Sequence, residues 1–119
     1  MRTSSLALAP AFHRDGLVSR VLLEPGGEPA SDLAVTWVEV ESGAGQPLHR
    51  HAAEQVYVLV RGQGRMRVGD ESVELRAGDL ALAPGGELHG IENTGDELLV
   101  YVSAATPAFR VSELYDSDP

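Results

Sequence analysis

The amino-acid sequence predicts an all-β domain, either a β-sandwich or a closed barrel. Three observations point there. Turn chemistry punctuates the chain about every 8 to 12 residues. The stretches between turns are short and rich in valine, leucine and tyrosine, the residues that suit a pleated, half-buried surface. No window of helical length holds a sustained apolar period of 3.6 residues.

The elements follow in order. Leu17–Leu23 reads as a strand closed by Pro25-Gly26-Gly27, and Leu33–Val40 as a second closed by Ser42-Gly43-Ala44-Gly45. Val56–Val60 runs into Gly62-Gln63-Gly64. Arg65–Val68 and Ser72–Leu75 alternate apolar with polar residues around Gly69-Asp70, the pattern of a hairpin. Leu80–Leu82 lies between Ala77-Gly78-Asp79 and Pro84-Gly85-Gly86, and Leu98–Val102 follows Thr94-Gly95-Asp96. Residues 1–16 form an arm with little pattern, and residues 112–119 an acidic tail; both are expected to fray.

With 119 residues, the whole of 1–119 is expected to be one domain that buries enough surface to fold without a staple. The chain has no cysteine, which excludes disulfides, thiolate nucleophiles and Cys-type zinc sites. It has no lysine, which excludes Schiff-base chemistry. A formal charge of −9 disfavours nucleic acid and anionic membranes as partners. Arginines 61, 65, 67 and 76 are interleaved with Asp70, Glu71 and Glu74, as on a solvated hairpin. The first twelve residues are too short and too broken by Pro10 for a signal peptide, and no apolar run is long enough to span a bilayer, so the expected location is the cytoplasm.

Carboxylates, histidines, tyrosines and a metal remain as carriers of chemistry. Three of the four histidines lie in two segments, Gly43–Gly62 and Gly78–Asn93. His49, His51 and Gln55 share strand parity and Glu54 does not. A strand running regularly through this segment would point two imidazoles and an amide into one space. His89 must then arrive from a separate strand beyond the Pro84–Gly86 turn. A bulge would instead turn Glu54 inward, so either residue can complete the set, with Gln55 ranked first on parity. Tyr57 shares the parity of Gln55 and is a candidate pocket residue, or simply a barrel-filling aromatic. His13 reads as a surface residue.

The first segment resembles the first motif of the cupin superfamily: Gly43, five residues, His49-x-His51, three residues, position 55, six residues, Gly62. The second is similar to the second cupin motif: Gly78, five residues, Pro84-x-Gly86, two residues, His89, three residues, Asn93. The resemblance spans about residues 33–105 and implies a double-stranded β-helix, the jelly-roll cupin barrel, with a metal inside. Where the family usually has glutamate, this chain has Gln55.

What the resemblance implies is one divalent transition metal (zinc, nickel, manganese, iron, cobalt or copper) held by His49, His51, Gln55 and His89. A neutral donor set implies weaker affinity and stronger Lewis acidity than a set with glutamate. It further implies an enzyme acting on a small organic molecule, through Lewis-acid isomerisation, dehydration, decarboxylation or cyclisation, or as a dioxygenase. Glu54 and Tyr57 are then the catalytic acid–base candidates. The alternatives are a non-catalytic module that binds or senses a small ligand, and a bare scaffold. Small single-domain cupins commonly pair, so a homodimer is expected.

Overall fold

The computed structural model describes residues 1–107; the expected acidic tail lies outside the described residues. Nine strands are present among them, β1 Ala11–Arg14, β2 Leu17–Leu23, β3 Ala34–Val40, β4 Glu54–Arg61, β5 Gln63–Val68, β6 Glu71–Arg76, β7 Leu80–Ala83, β8 His89–Asn93 and β9 Leu99–Thr106. They form two antiparallel sheets, a six-stranded one in the order β1-β2-β3-β9-β4-β7 and a three-stranded one in the order β6-β5-β8. This is the all-β jelly roll that the sequence predicted. No helix among the described residues is long and apolar enough to cross a membrane.

Strand alternation sorts the side chains. Val38 and Val40 of β3 point into the sandwich, while Trp37 lies on the outer face and donates its indole N–H to Glu39 at 3.1 Å. Tyr57, Leu59, Met66, Ile91, Leu99 and Tyr101 are fully buried between the sheets. Each aliphatic member of that set contributes about 1.5–3 kcal/mol through burial. The hairpin β5–β6 pairs Arg65 with Glu74 in register, and their side chains form an exposed ion pair at 3.4 Å. That is the solvated face expected from the interleaved charges.

The amino-terminal arm departs from its expected fraying. Ala11–Arg14 pairs with β2 around a two-residue turn, Asp15-Gly16, in which both residues have positive φ, 37° and 82°. Asp-Gly is a strong two-residue hairpin signal because its left-handed backbone matches the twist of the flanking strands. β1 shows no hydrophobic run because it is an edge strand with no fully buried side chain.

A second departure concerns residues 45–49. They are not a continuation of β4; they lie beside β8, with bridges Gly45↔Glu92 and His49↔His89. The close approach needs small residues: a Cβ on Gly45 would stand 2.9 Å from that of Glu92, and one on Gly90 2.9 Å from the Gln46 carbonyl oxygen.

Candidate metal centre

His49 and His89 occupy opposite positions of one antiparallel rung and exchange both main-chain hydrogen bonds, 2.9 Å in each direction. Directly opposed residues project to the same side of a sheet, so the two imidazoles lie together, centroids 4.3 Å apart. His51 stands just ahead of the bend at Ala52-Ala53, before β4 begins at Glu54. The regular strand expected from His49 to Gln55 is therefore absent, although the residues it was to unite do meet. The bend is set from below by the Pro84–Gly86 turn: the Gly86 N–H donates to the His51 carbonyl at 2.8 Å, and Gly85 lies against the Ala52 carbonyl with no room for a Cβ.

His49, His51 and His89 each offer a ring nitrogen, all within 4.8 Å of one another. Gln55, on the inner face of β4, directs its Oε1 to His51 Nε2 at 2.9 Å and to His89 Nε2 at 3.2 Å. Every Nδ1 is committed elsewhere. His49 donates to the Pro47 carbonyl at 2.9 Å, His51 to Ala53 at 2.9 Å and His89 to Glu87 at 2.8 Å. A carbonyl oxygen only accepts, so each Nδ1 is assigned the proton, which leaves Nε2 as the lone-pair nitrogen turned toward the cluster. Three imidazole lone pairs and an amide oxygen then converge with no donor among them. The His49 Nε2 is buried without any hydrogen-bond partner. Acceptors facing acceptors repel unless a cation lies between them, and this nitrogen and oxygen set suits a divalent transition ion.

Burial favours the neutral form of His49 and His89. It lowers the pKa of His49 and pushes that of His89 down to about 4, against the opposing effect of the backbone hydrogen bonds. Gln55 adds no charge to the donor set.

The two acid–base candidates fall elsewhere. Glu54 is exposed on the opposite face of β4 from Gln55. Tyr57 is fully buried behind the cluster, its ring edge-on to His89 at 6.1 Å. Its hydroxyl donates to Gln46 Oε1 at 2.8 Å, and burial raises its pKa above the ordinary phenol value. Asn93 and Gly86 act through backbone geometry. The Asn93 amide donates to the Val40 carbonyl at 2.9 Å and the Glu97 carbonyl at 2.7 Å and accepts from the Gly95 N–H, which fixes the end of β8. His13 is exposed.

Sequence reasoning missed the residues behind Gln55. Its Nε2 donates to Ser103 Oγ at 2.7 Å, and the Thr36 hydroxyl donates to the same oxygen at 3.3 Å. All three side chains are buried. A signal did exist, since Thr36 shares parity with Val38 and Val40, and Ser103 with Tyr101 and Ala105. A hydroxyl on the apolar face of a strand needs a polar partner inside. A cleft of about 760 Å³ between the β5–β6 hairpin and β7 is lined by Met66, Val73 and Ala81 together with Arg67 and Glu87, and by none of the cluster residues.

Comparison with known proteins places the chain. The model of the cupin domain matches residues 36–105. The tetracenomycin polyketide synthase protein TcmJ of Streptomyces glaucescens is 31% identical over 116 residues, which cover 95% of this chain and 77% of that protein. An oxalate-binding protein of Thermotoga maritima is 31% identical over 67 residues, 56% of this chain and 55% of the relative. An RmlC-like cupin from Shewanella frigidimarina superposes with a TM-score of 0.80 at 21% identity, covering 95% of this chain and 96% of its own. With both histidine motifs folded onto one cluster inside a jelly roll, and with the family's domain matching well over half the sequence, the chain belongs to the cupin family.

Proposed function

We propose that this cupin is a metal-dependent enzyme acting on a small organic molecule, with His49, His51, His89 and Gln55 holding one divalent transition metal. The observation that carries the reading is the convergence of three imidazole nitrogens and the Gln55 oxygen, with each Nδ1 already placed on a backbone carbonyl. A bound divalent ion supplies Lewis acidity, and a redox-active one a centre for dioxygen chemistry. The protein's contribution is orientation and charge. Backbone carbonyls fix the tautomer of each imidazole, and the β8 rung fixes two of them on rigid main chain. The neutral donors leave the ion's charge uncompensated, which favours a substrate that presents an anionic oxygen, a carboxylate or an enolate. Similarity to a polyketide synthase protein supports a substrate of polyketide type, whose enol oxygens meet that requirement.

On this geometry neither Glu54 nor Tyr57 is assigned a proton-transfer role. Glu54 faces away, and the Tyr57 hydroxyl is tied to Gln46 and held protonated. Tyr57 instead forms the floor behind His89.

Similarity to an oxalate-binding protein favours a second reading, a module that holds a small acid on the metal without turnover. Incubating metal-loaded protein with a panel of small carboxylates and polyphenolic enols, followed by mass spectrometry, separates the two. Conversion that disappears in His89→Ala supports the enzyme. Saturable binding across the panel with no conversion supports the binding module and overturns catalysis.

We also infer that two copies pair through the outer face of β7, β4 and β9. There Val58 stands opposite Leu80 and Val102, and Val56 opposite Leu82 and Ala104. Leu80 is 58% exposed and Leu82 51%. These two rows carry no charged side chain, and Glu54, which lies on the same face of β4, stands at their end opposite Thr106.

A further inference from the structure

We propose that Ser103, backed by Thr36, is a positioning residue that keeps the carbonyl oxygen of Gln55 turned toward the three imidazoles; this rests on the metal centre proposed above. The two ends of a glutamine amide have the same shape and opposite chemistry. The oxygen offers lone pairs to a cation. The nitrogen's lone pair is delocalised, so an inverted amide would present only N–H groups to the ion.

What the far end of the side chain meets therefore matters. Gln55 is 5% exposed, so its N–H groups cannot turn to bulk water. Ser103 Oγ lies 2.7 Å from Nε2 and accepts one of them. Thr36 Oγ1 donates to the same Ser103 oxygen at 3.3 Å, so that oxygen receives protons from both sides. The arrangement is built on sheet geometry. Thr36 and Ser103 are directly opposed across β3 and β9, and Gln55 is the diagonal neighbour of Ser103 across β9 and β4. Rigid strands thus carry the whole relay from Thr36 through Ser103 and Gln55 to the imidazoles.

The hydroxyl of Ser103 satisfies a donor that ligation by the oxygen leaves stranded. A glutamate at position 55 would have no such N–H to place, so the relay answers the departure of this chain from the usual cupin motif. Outer-shell partners of this kind are worth about 10–100-fold in metal affinity.

The test is cobalt(II) titration of the metal-free full chain, followed by calorimetry and by visible absorption, which reports the ligand set. Parent protein is compared with Gln55→Ala, Ser103→Ala, Ser103→Thr and Ser103→Val. Threonine and valine have the same shape and differ only in the hydroxyl, so their comparison separates the hydrogen bond from packing; thermal melts verify that each variant folds. The expected result is about 10–100-fold weaker binding in Ser103→Ala and Ser103→Val, with absorption bands moved to those of Gln55→Ala, and near-parental behaviour in Ser103→Thr. Equal weakening in Ser103→Thr and Ser103→Val would overturn the inference, as would parental affinity and spectrum in Ser103→Ala. A parent that takes up no cobalt, or a Gln55→Ala variant with the parental spectrum, would overturn the metal centre or its fourth ligand, and the role of Ser103 with it.

Discussion

His49 and His89 face each other across a single hydrogen-bonded rung, each donating its N–H to the other's carbonyl at 2.9 Å. Their spacing is thereby fixed by main chain, and no side-chain interaction is needed to bring the two motifs together. His51 has no such anchor. It leads into the bend at Ala52-Ala53 that packs on the Pro84–Gly86 turn, so the third imidazole depends on a contact between backbones.

That dependence makes Gly85 a sensitive position. An alanine there would drive its Cβ into the Ala52 carbonyl and shift the bend that follows His51. We expect Gly85→Ala to lower stability by about 1–3 kcal/mol, the usual cost of overpacking, and to weaken metal binding as well. Denaturant titration and calorimetry read the two effects. An unchanged midpoint together with unchanged affinity would show that the bend relocates freely.

Stability of the metal-free protein should depend on pH through the buried imidazoles. Burial depresses the folded-state pKa of His89 from 6.5 to about 4 and lowers that of His49. The unfolded chain therefore binds more protons than the folded one between these values, and unfolding free energy rises with pH there. The stabilisation is complete above about pH 6.5 and is lost as pH falls toward 4. Chelator-treated protein, melted at a series of pH values, should show this slope, and His89→Ala should flatten it. The same depression means that protons compete for these two ligands at lower pH than for ordinary histidines, below the unperturbed imidazole pKa of about 6.5. A parent whose stability does not change across the window would contradict the buried, neutral state of His49 and His89.

The exposed rows on β7, β4 and β9 lead to an expectation for assembly. Light scattering at micromolar concentration should report a dimer, and a Val58→Glu, Leu80→Glu double variant should run as a folded monomer. A monomeric parent, or a double variant that remains dimeric, would remove this face as the interface.

Much of this arrangement was legible in the sequence. Turn residues and short valine-rich runs marked the strands β2 to β7 and β9, because those signals are local. The two motifs identified the imidazoles because the chemistry needs those residues at those spacings. The parity argument brought His49, His51 and Gln55 together for a reason that does not hold, since His49 pairs with β8 and His51 lies just ahead of a bend. Long-range pairing of residues 45–49 leaves no local mark beyond Gly45 and Gly90. The arm's strand β1 was announced only by Asp15-Gly16, because an edge strand has no buried face to pattern. Ser103 and Thr36 were hidden for another reason: on inward strand positions they look like ordinary β formers until Gln55 is placed beside them.

The central claim is that these three imidazoles hold a metal, and elemental analysis tests it most directly. Untagged protein purified without chelator is measured beside His49→Ala and His89→Ala. We expect about one equivalent of a transition metal in the parent and none in either variant, because three imidazoles that each turn Nε2 inward form a set that a single truncation opens. A parent that carries no metal and takes none up on titration would contradict the account, and would leave the imidazole cluster as a polar feature of the barrel interior.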